Sequence, residues 1–425
     1  MSPQAFSILF VVALLLTLLV KLALMRRQIR HVRARRDSVP APFSESIALE
    51  SHRRAADYTG ARMRLAIVDA AVNTGFVLVL TLGGGLQAIH DVTATWFDAG
   101  GIAHGVALLA IVALLGWVVD LPFSLARTFG IEKLFGFNRM TPGLFVADLV
   151  REGLLAAVIG LPVLAAVLWL MGAMGELWWL WVWLFWIGFN LVALFAWPAF
   201  IAPMFNKFTP LADETLKARV EGLLDRCGFR SRGLFVMDGS RRSAHGNAYF
   251  TGFGAAKRIV FFDTLLEKLQ PEEVEAVLAH ELGHFHHRHI WKRFSVIAAA
   301  SLGLLWLLGW LMERAWFFTG LGMDSTTTGG TAVALALFAL ALPAFTFPFG
   351  PLMTHWSRKH EFQADAYASR HTHAEDLATA LVKLYRDNAS TLTPDPLYSR
   401  VFDSHPPAAL RVSRLRSAFR EPSPT

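Results

Sequence analysis

Long apolar stretches alternate with shorter polar ones along most of this chain. Seven of the apolar stretches, at about 20 residues each, are long enough to cross the roughly 30 Å hydrocarbon core of a bilayer. They lie at residues 5–25, 65–88, 102–120, 154–173, 177–200, 294–312 and 331–352. The pattern therefore predicts seven transmembrane helices.

The longest polar stretch, residues 201–293, interrupts this pattern after the fifth apolar segment. Its first part, 211–226, has apolar positions at helical spacing. Three β-prone runs separated by glycine-containing turns follow at 233–237, 247–251 and 258–262. Pro271, followed by Glu272 and Glu273, then marks the start of another helix. Beyond the last apolar segment, helices are predicted to begin at 361 and to cover 374–386. The sequence thus predicts a mainly α membrane protein that carries an α+β unit.

The charges between the apolar segments predict an orientation. The loops after the first and third segments are rich in Lys and Arg, whereas 89–101 contains neither and 313–330 contains only Arg314. Lys and Arg accumulate on the cytoplasmic side, so the N-terminus is expected outside and the C-terminus inside. The first segment is interpreted as an anchor and not as a signal peptide, since its arginines follow the apolar core. The polar stretch and the tail then share the cytoplasmic face.

The composition excludes several classes of protein. The chain is 54% hydrophobic and only 17% charged, with a mean hydropathy of +0.42, which an ordinary soluble domain does not show. The net charge is +7, but the basic residues lie in loops without a nucleic-acid-binding pattern, so no nucleic-acid partner is expected. Cys227 is the only cysteine, which excludes an internal disulfide and a cysteine-rich zinc finger. A metal site here must use histidines and carboxylates.

Residues 280–284 are His-Glu-Leu-Gly-His. On a helix, His280 and His284 lie one turn apart on the same face, so both imidazoles can reach one metal ion. Glu281 lies beside them and can accept a proton from water without binding the metal. The pattern predicts a zinc site for hydrolysis. The alternative is a solvated histidine-rich helix end, since further histidines follow at positions 286, 287 and 289.

A hydrolytic zinc ion usually has three protein ligands and one position open to water. Glu361 is the predicted third ligand. Asp365 follows it at i+4 on the same helical face, where it can orient a ligand histidine through the ring N–H. The alternative for Glu361 is a solvated carboxylate that pairs with Arg358 or Lys359.

The predicted reaction is peptide hydrolysis, in which Glu281 takes the proton of water and returns it to the leaving amine. Such a site also needs a group that stabilises the oxyanion. His405 is the candidate, because two following prolines would hold its loop stiffly, and Arg411 could support it. The alternative for His405 is an ordinary surface-loop histidine.

The β-prone run that contains Asn247, Ala248 and Tyr249 is a candidate substrate-binding edge. Proteases commonly bind a peptide as an additional strand on the edge of a sheet. An ordinary interior strand is the alternative, and the sequence alone does not separate the two.

Together, these motifs resemble the type I CAAX prenyl protease family, integral-membrane zinc metallopeptidases of the gluzincin type. The matching segments are spread over most of residues 120–411. They are 120–124, 136–138, 205–210, 247–250, 258–265, 280–284, 357–365 and 404–407.

The resemblance implies a barrel of seven transmembrane helices that encloses a water-filled chamber, closed on the cytoplasmic side by a site for one zinc ion. It also implies removal of the last three residues from isoprenylated CAAX peptides. Residue by residue, it implies that the ligands are His280, His284 and Glu361, that the base is Glu281, and that Asp365 is the partner of a ligand histidine. It also implies that the residues near the peptide are Asn247, His405 and Arg411. Phe285, His286 and Lys133 depart from the family pattern and leave substrate preference open.

Four regions are therefore expected. They are an N-terminal membrane region with five transmembrane helices and cytoplasmic loops (1–200), a cytoplasmic metallopeptidase unit (201–293), a transmembrane hairpin (294–352) and a C-terminal cytoplasmic part that completes the zinc site (353–425). The expected partners are the lipid bilayer and a peptide or protein substrate, which the resemblance suggests is isoprenylated.

The expected location is a bacterial plasma membrane, with the catalytic site on the cytoplasmic side. Prenylated CAAX proteins need not be the natural substrate there. Two other functions stay open. One is a heat-shock-type membrane metalloprotease that acts in quality control. The other, from a different class, is a seven-helix transporter or receptor without peptidase activity.

Overall fold

The structure is a computed structural model that describes residues 1–251, 258–324 and 330–418. Within these ranges, seven continuous helical segments are long and apolar enough to cross a membrane, which confirms the predicted number and order. They are Pro3–Ala34, Leu49–Leu80, Ile102–Glu132, Pro142–Ala173, Gly175–Phe205, His289–Met312 and Thr331–His371.

The α-helices of the described chain form the bulk of the fold. In order, they are α1 Pro3–Ala34, α2 Leu49–Leu80, α3 Gly85–Trp96, α4 Ile102–Leu125, α5 Pro142–Leu155, α6 Leu161–Ala173, α7 Trp178–Ala196, α8 Ala202–Phe205, α9 Glu214–Arg226, α10 Asp263–Leu266, α11 Pro271–His286, α12 His289–Met312, α13 Ala315–Thr319, α14 Thr331–Thr346, α15 Gly350–His371, α16 Ala374–Asp387, α17 Pro396–Phe402 and α18 Ala408–Ala418.

A small sheet accompanies the helices after the fifth span. Its strands are β1 Phe208–Pro210, β2 Leu234–Met237, β3 Ala248–Thr251 and β4 Arg258–Phe262, arranged in the order β1-β2-β4-β3. β2 and β4 are parallel, and each pairs with an antiparallel edge strand. The three predicted strands are confirmed. β1 was not predicted, because three residues that include Pro210 carry almost no alternating pattern.

Two element predictions were wrong. Residues 89–101, expected as a loop, lie largely in helix α3, whose apolar face is too short to stand out as a span. The helix expected to begin at 361 begins at Gly350 and continues out of the seventh span. In both cases hydropathy marks where lipid ends, whereas backbone hydrogen bonding continues across that boundary. The Thr- and Gly-rich stretch interpreted as an outside loop lies mostly outside the described residues.

The sheet and helices α9, α11, α16 and α18 share one apolar core. Fully buried members include Leu223, Phe261, Leu278 and Leu282. Helix α11 begins with Pro271 and a capping box between Gln270 and Glu273, which satisfies backbone groups that its first turn leaves unpaired.

Helix α11 packs directly against α15, which continues the seventh span beyond its apolar part. The contact is so close that a Cβ on Gly283 would lie 2.8 Å from the Cα of Ala364. Only glycine fits at that position. This approach brings residues 280–284 of α11 next to residues 361–365 of α15.

Candidate metal centre and substrate cavity

Three potential metal ligands converge where α11 crosses α15. The Nε2 atoms of His280 and His284 are 3.3 Å apart. The carboxylate of Glu361 lies 3.6 Å from the first and 3.5 Å from the second. One ligand atom from each residue therefore lies within 4.8 Å of the others. The helical i, i+4 spacing supplies the histidine pair, and the α11–α15 packing supplies the carboxylate.

The chemistry of these atoms fits a zinc ion. Glu361 is 4% exposed, and its Oε2 has no hydrogen-bond partner within the described part of the chain. Such orphaned buried atoms are rare without a further partner. Burial, reinforced by the neighbouring His280, lowers the pKa of His284 to about 3, so its imidazole is neutral at physiological pH. Two imidazoles and one carboxylate are a donor set that zinc accepts.

Asp365 holds the first histidine from behind. Its Oδ1 lies 2.8 Å from Nδ1 of His280, which leaves the lone pair of Nε2 directed at the cluster. The guanidinium of Arg411, on α18, donates to both oxygens of Asp365 at 2.9 and 2.6 Å. Asp365 is thus placed where it can orient His280, and its role stays a prediction.

Arg411 does not lie where the sequence analysis expected it. Its side chain is 6% exposed, and its Nη1 is 3.5 Å from Glu361. It is buried behind the metal cluster, between the two carboxylates, and is not among the residues that line the described cavities. Arg411 therefore contacts Asp365 and lies close to Glu361, the two carboxylates that the sequence analysis placed at the zinc site. It does not line the cavity that holds Glu281, and it approaches the same oxygen of Glu361 as His405 does.

Glu281 lines a cavity of about 530 Å³ together with His284 and Glu361. It lies outside the group of three ligand atoms. Burial raises the pKa of its carboxyl group. A raised pKa makes the carboxylate a better proton acceptor near neutral pH than an exposed glutamate is.

A further histidine, which the sequence analysis treated only as part of a solvated alternative, holds the second ligand. Nδ1 of His289 is 3.0 Å from Nδ1 of His284, and Nε2 of His289 is 2.9 Å from Oε1 of Gln363. His289 is 5% exposed, and its ring stacks on His360 at 3.8 Å. The chain of contacts orients the imidazole of His284 as Asp365 orients that of His280. The only sequence signal was a histidine five positions beyond a ligand.

We expect His289→Ala to lower zinc affinity by about 10- to 100-fold, the usual cost of losing a residue that orients a ligand histidine. His289→Gln should restore part of the affinity, since an amide can accept from Nδ1–H. The measurement is competition for zinc with a chelator on purified protein. Unchanged affinity in His289→Ala would show that the ring only packs against His360.

His405 lies at the mouth of the cluster. Its side chain is 61% exposed, and Nδ1 is 2.7 Å from Oε2 of Glu361, without hydrogen-bond geometry. It lines the cavity that holds Glu281 and also lines a second cavity behind it. An exposed histidine beside the cluster can reach a substrate oxygen.

Strand β3 lies at an edge of the sheet, beside the cluster. Ala248 and Tyr249 pair with β4 on one side, and no other described strand pairs with β3. The backbone oxygen of Asn247 accepts from Phe262, and Tyr249 lines the cavity of Glu281. Among the described residues, one side of this strand is therefore left without a pairing strand, and peptide binding there stays a prediction.

One wall of the same cavity is apolar. The side chains come from α12 and α15, and they are Ile290, Phe294, Ile297, Met353 and Trp356. Glu281, His284, Glu361 and Arg293 line the same cavity. The cavity thus joins a possible hydrolytic centre to a surface that can accept a hydrocarbon group.

Comparison with known families matches both halves of the chain. Residues 28–207 match the model of the CAAX prenyl protease N-terminal region with five membrane helices. Residues 210–419 match the model of peptidase family M48.

Curated relatives match over most of their length. A CAAX prenyl protease 1 homolog of Arabidopsis thaliana is 39% identical over 74% of this chain and 73% of its own. The CAAX prenyl protease 1 of Saccharomyces cerevisiae is 34% identical over 89% of this chain and 88% of its own. The crystal structure of S. mikatae Ste24p is similar with a TM-score of 0.89 and 30% identity, covering 96% of this chain and 99% of that one.

Proposed function

Because the chain belongs to the CAAX prenyl protease 1 family within peptidase family M48, we propose that it removes the C-terminal tripeptide of isoprenylated CAAX peptides. Membership makes it a multi-pass membrane protein and a zinc-dependent metalloendopeptidase. The substrate and the role of each residue are the proposal.

One observation carries the choice of substrate. The cavity that contains Glu281 and His284 has an apolar wall from α12 and α15 directly beside the free edge of β3. A peptide that pairs with β3 would place a nearby hydrocarbon chain against that wall. Burial of an isoprenyl group there would contribute about 25 cal/mol for each Å² of apolar surface removed from water.

The proposed roles follow from position. His280, His284 and Glu361 hold the zinc ion, which when bound supplies a Lewis acid for the scissile carbonyl and for water. Glu281 accepts a proton from the attacking water and delivers it to the leaving amine. His405 stabilises the negative charge that develops on the carbonyl oxygen.

The remaining residues position these groups and the peptide. Asp365 orients His280, and Arg411 fixes Asp365 in place, which replaces the substrate contact first expected for Arg411. The backbone of Asn247, Ala248 and Tyr249 pairs with the peptide.

The proposed location of the site is the cytoplasmic face of the membrane. The arginine-rich loop follows the first span, and the loop that carries α11 follows the fifth. Four spans separate them, so both loops are on the same side of the membrane, and arginine-rich loops face the cytoplasm. The relatives named above are eukaryotic, so assignment to a bacterial plasma membrane stays a prediction from composition.

A tag inserted between residues 98 and 101, in the turn after α3, should be accessible to protease from outside in intact cells. A tag at the C-terminus should be accessible only after the membrane is opened. The opposite result would place the metal cluster outside and would contradict the cytoplasmic assignment.

The test of the substrate is a cleavage assay on purified, zinc-loaded protein. A farnesylated CAAX peptide should release an intact tripeptide, and the same peptide without the farnesyl group should be cut more slowly. Equal rates for both would contradict the role of the apolar wall. If the farnesylated peptide stays uncut while unfolded membrane proteins are cleaved, the result would favour a quality-control protease.

A further inference from the structure

A second cavity, of about 580 Å³, lies behind His405. It is lined by residues of α1 and α2, by His245, and by residues from the end of α16 to the start of α18. Ser404 and His405 line both this cavity and the one that contains Glu281. The two spaces therefore meet at the candidate oxyanion residue.

Strand β3 leads from one cavity to the other. His245, just before the strand, lines the second cavity, whereas Tyr249, within it, lines the first. The apolar wall lies at the Tyr249 end. A peptide whose prenylated cysteine rests on that wall must run towards His245 after the scissile bond. That direction opposes β3 and is the one that antiparallel pairing requires.

The second cavity contains one full positive charge. Arg62 is the only Lys or Arg among its described lining residues, and it forms no salt bridge within the described chain. Its guanidinium lies 5.4 Å from the ring centre of Tyr58.

The acidic groups around Arg62 already have other partners. Glu132 accepts from the Tyr58 hydroxyl at 2.5 Å and lies 3.4 Å from His245 Nε2. Asp403, the one carboxylate among the described lining residues, is hydrogen-bonded to Ser399 and lies near Arg358, and burial raises its pKa. Arg62 interacts with the Tyr58 hydroxyl and at longer range with Glu132, but no described carboxylate forms a salt bridge with it, so its charge can bind an anion in this space.

We propose that the second cavity receives the three residues after the scissile bond and that Arg62 binds their terminal α-carboxylate. The inference rests on the proposed function and deepens it, since it explains how a cleavage position could be measured from the chain end. Three extended residues span at most about 10–11 Å, a short reach from His405 into a cavity of this kind. Arginine binds a carboxylate through two parallel hydrogen bonds.

The test compares a farnesylated CAAX peptide acid with the same peptide as its C-terminal amide. Wild-type protein should cleave the amide with a kcat/KM about 10- to 100-fold lower, mainly through KM, as expected for loss of a charged hydrogen bond. Arg62→Ala should show the same loss with the acid and no further loss with the amide. Arg62→Lys should recover part of it.

Arg64→Ala is the matched control, because Arg64 lies on the same helix but lines a different cavity. It should cleave both peptides as wild type does. Equal losses in Arg62→Ala for acid and amide, or none for either, would overturn the inference while leaving the proposed function intact.

A binding measurement separates the inference from the proposed function. The free tripeptide Val-Ile-Met should bind the full-length protein more tightly than its amide, and Arg62→Ala should remove the difference. If no farnesylated peptide is cleaved, the proposed substrate is wrong. In that case, this titration alone tests the carboxylate site.

Discussion

Glu281→Gln is expected to lower the rate of peptide hydrolysis by about 100- to 10,000-fold while zinc stays bound, the range that a positioned general base supplies. The amide is nearly the same size as the carboxylate but cannot accept the proton of water. Because Glu281 lies outside the group of three ligand atoms, its charge is not needed to hold the ion. Single-turnover cleavage and zinc content, measured on the same preparation, check both parts.

Glu272→Gln is the matched control for this change. Glu272 lies on the same helix, is exposed, and pairs with Arg219 on the surface. Its variant should cleave as wild type does. If Glu281→Gln cleaved normally, the base would be another residue. If it lost both zinc and activity, Glu281 would help to hold the metal, and its proposed role would have to change.

The parts of this site that depend on local spacing could be predicted from the sequence. His280 and His284 share a face because they are four residues apart on one helix, and the same holds for Glu361 and Asp365. Loop charges were enough to predict that these two pairs lie on one side of the membrane. The packing of α11 against α15 brings the two pairs together, and the close backbone contact at Gly283 reveals that packing.

The parts that depend on backbone turns or distant helices could not be predicted. Arg288, between α11 and α12, has a φ of 55°, a left-handed conformation that few non-glycine residues adopt. The turn at Arg288 brings His289 beside His284, so a histidine that was named only in the solvated alternative is a buried partner. Arg411 contacts Asp365 from α18, 46 residues further along the chain, and no periodicity in the sequence predicts that contact.

Hydropathy also predicted the membrane-crossing segments better than it predicted where the helices begin and end. The second predicted span began at 65, whereas α2 begins at Leu49, with a polar first half. That polar half carries Tyr58 and Arg62 to the second cavity. A residue that hydropathy assigns to a loop is therefore held on a rigid helix, where it can bind a ligand.

His284→Ala is expected to abolish both zinc binding and hydrolysis. It removes one of the three proposed ligands, and a hydrolytic zinc site usually needs all three of its protein ligands. The loss of affinity should exceed the about 10- to 100-fold expected for His289→Ala, which removes only a partner of that ligand. Zinc content after dialysis, and cleavage with added zinc, measure the two effects.

The protein should stay folded in this variant, and that separates lost metal from lost structure. Helix α11 is held by Leu278 and Leu282, which are each 1% exposed in the apolar core, whereas His284 faces the cavity. His286→Ala serves as the control, because that histidine is exposed on the same helix. It should keep zinc and activity. If His284→Ala retained one zinc ion per chain, the ion would have to bind elsewhere, and the convergence of α11 and α15 would need another explanation.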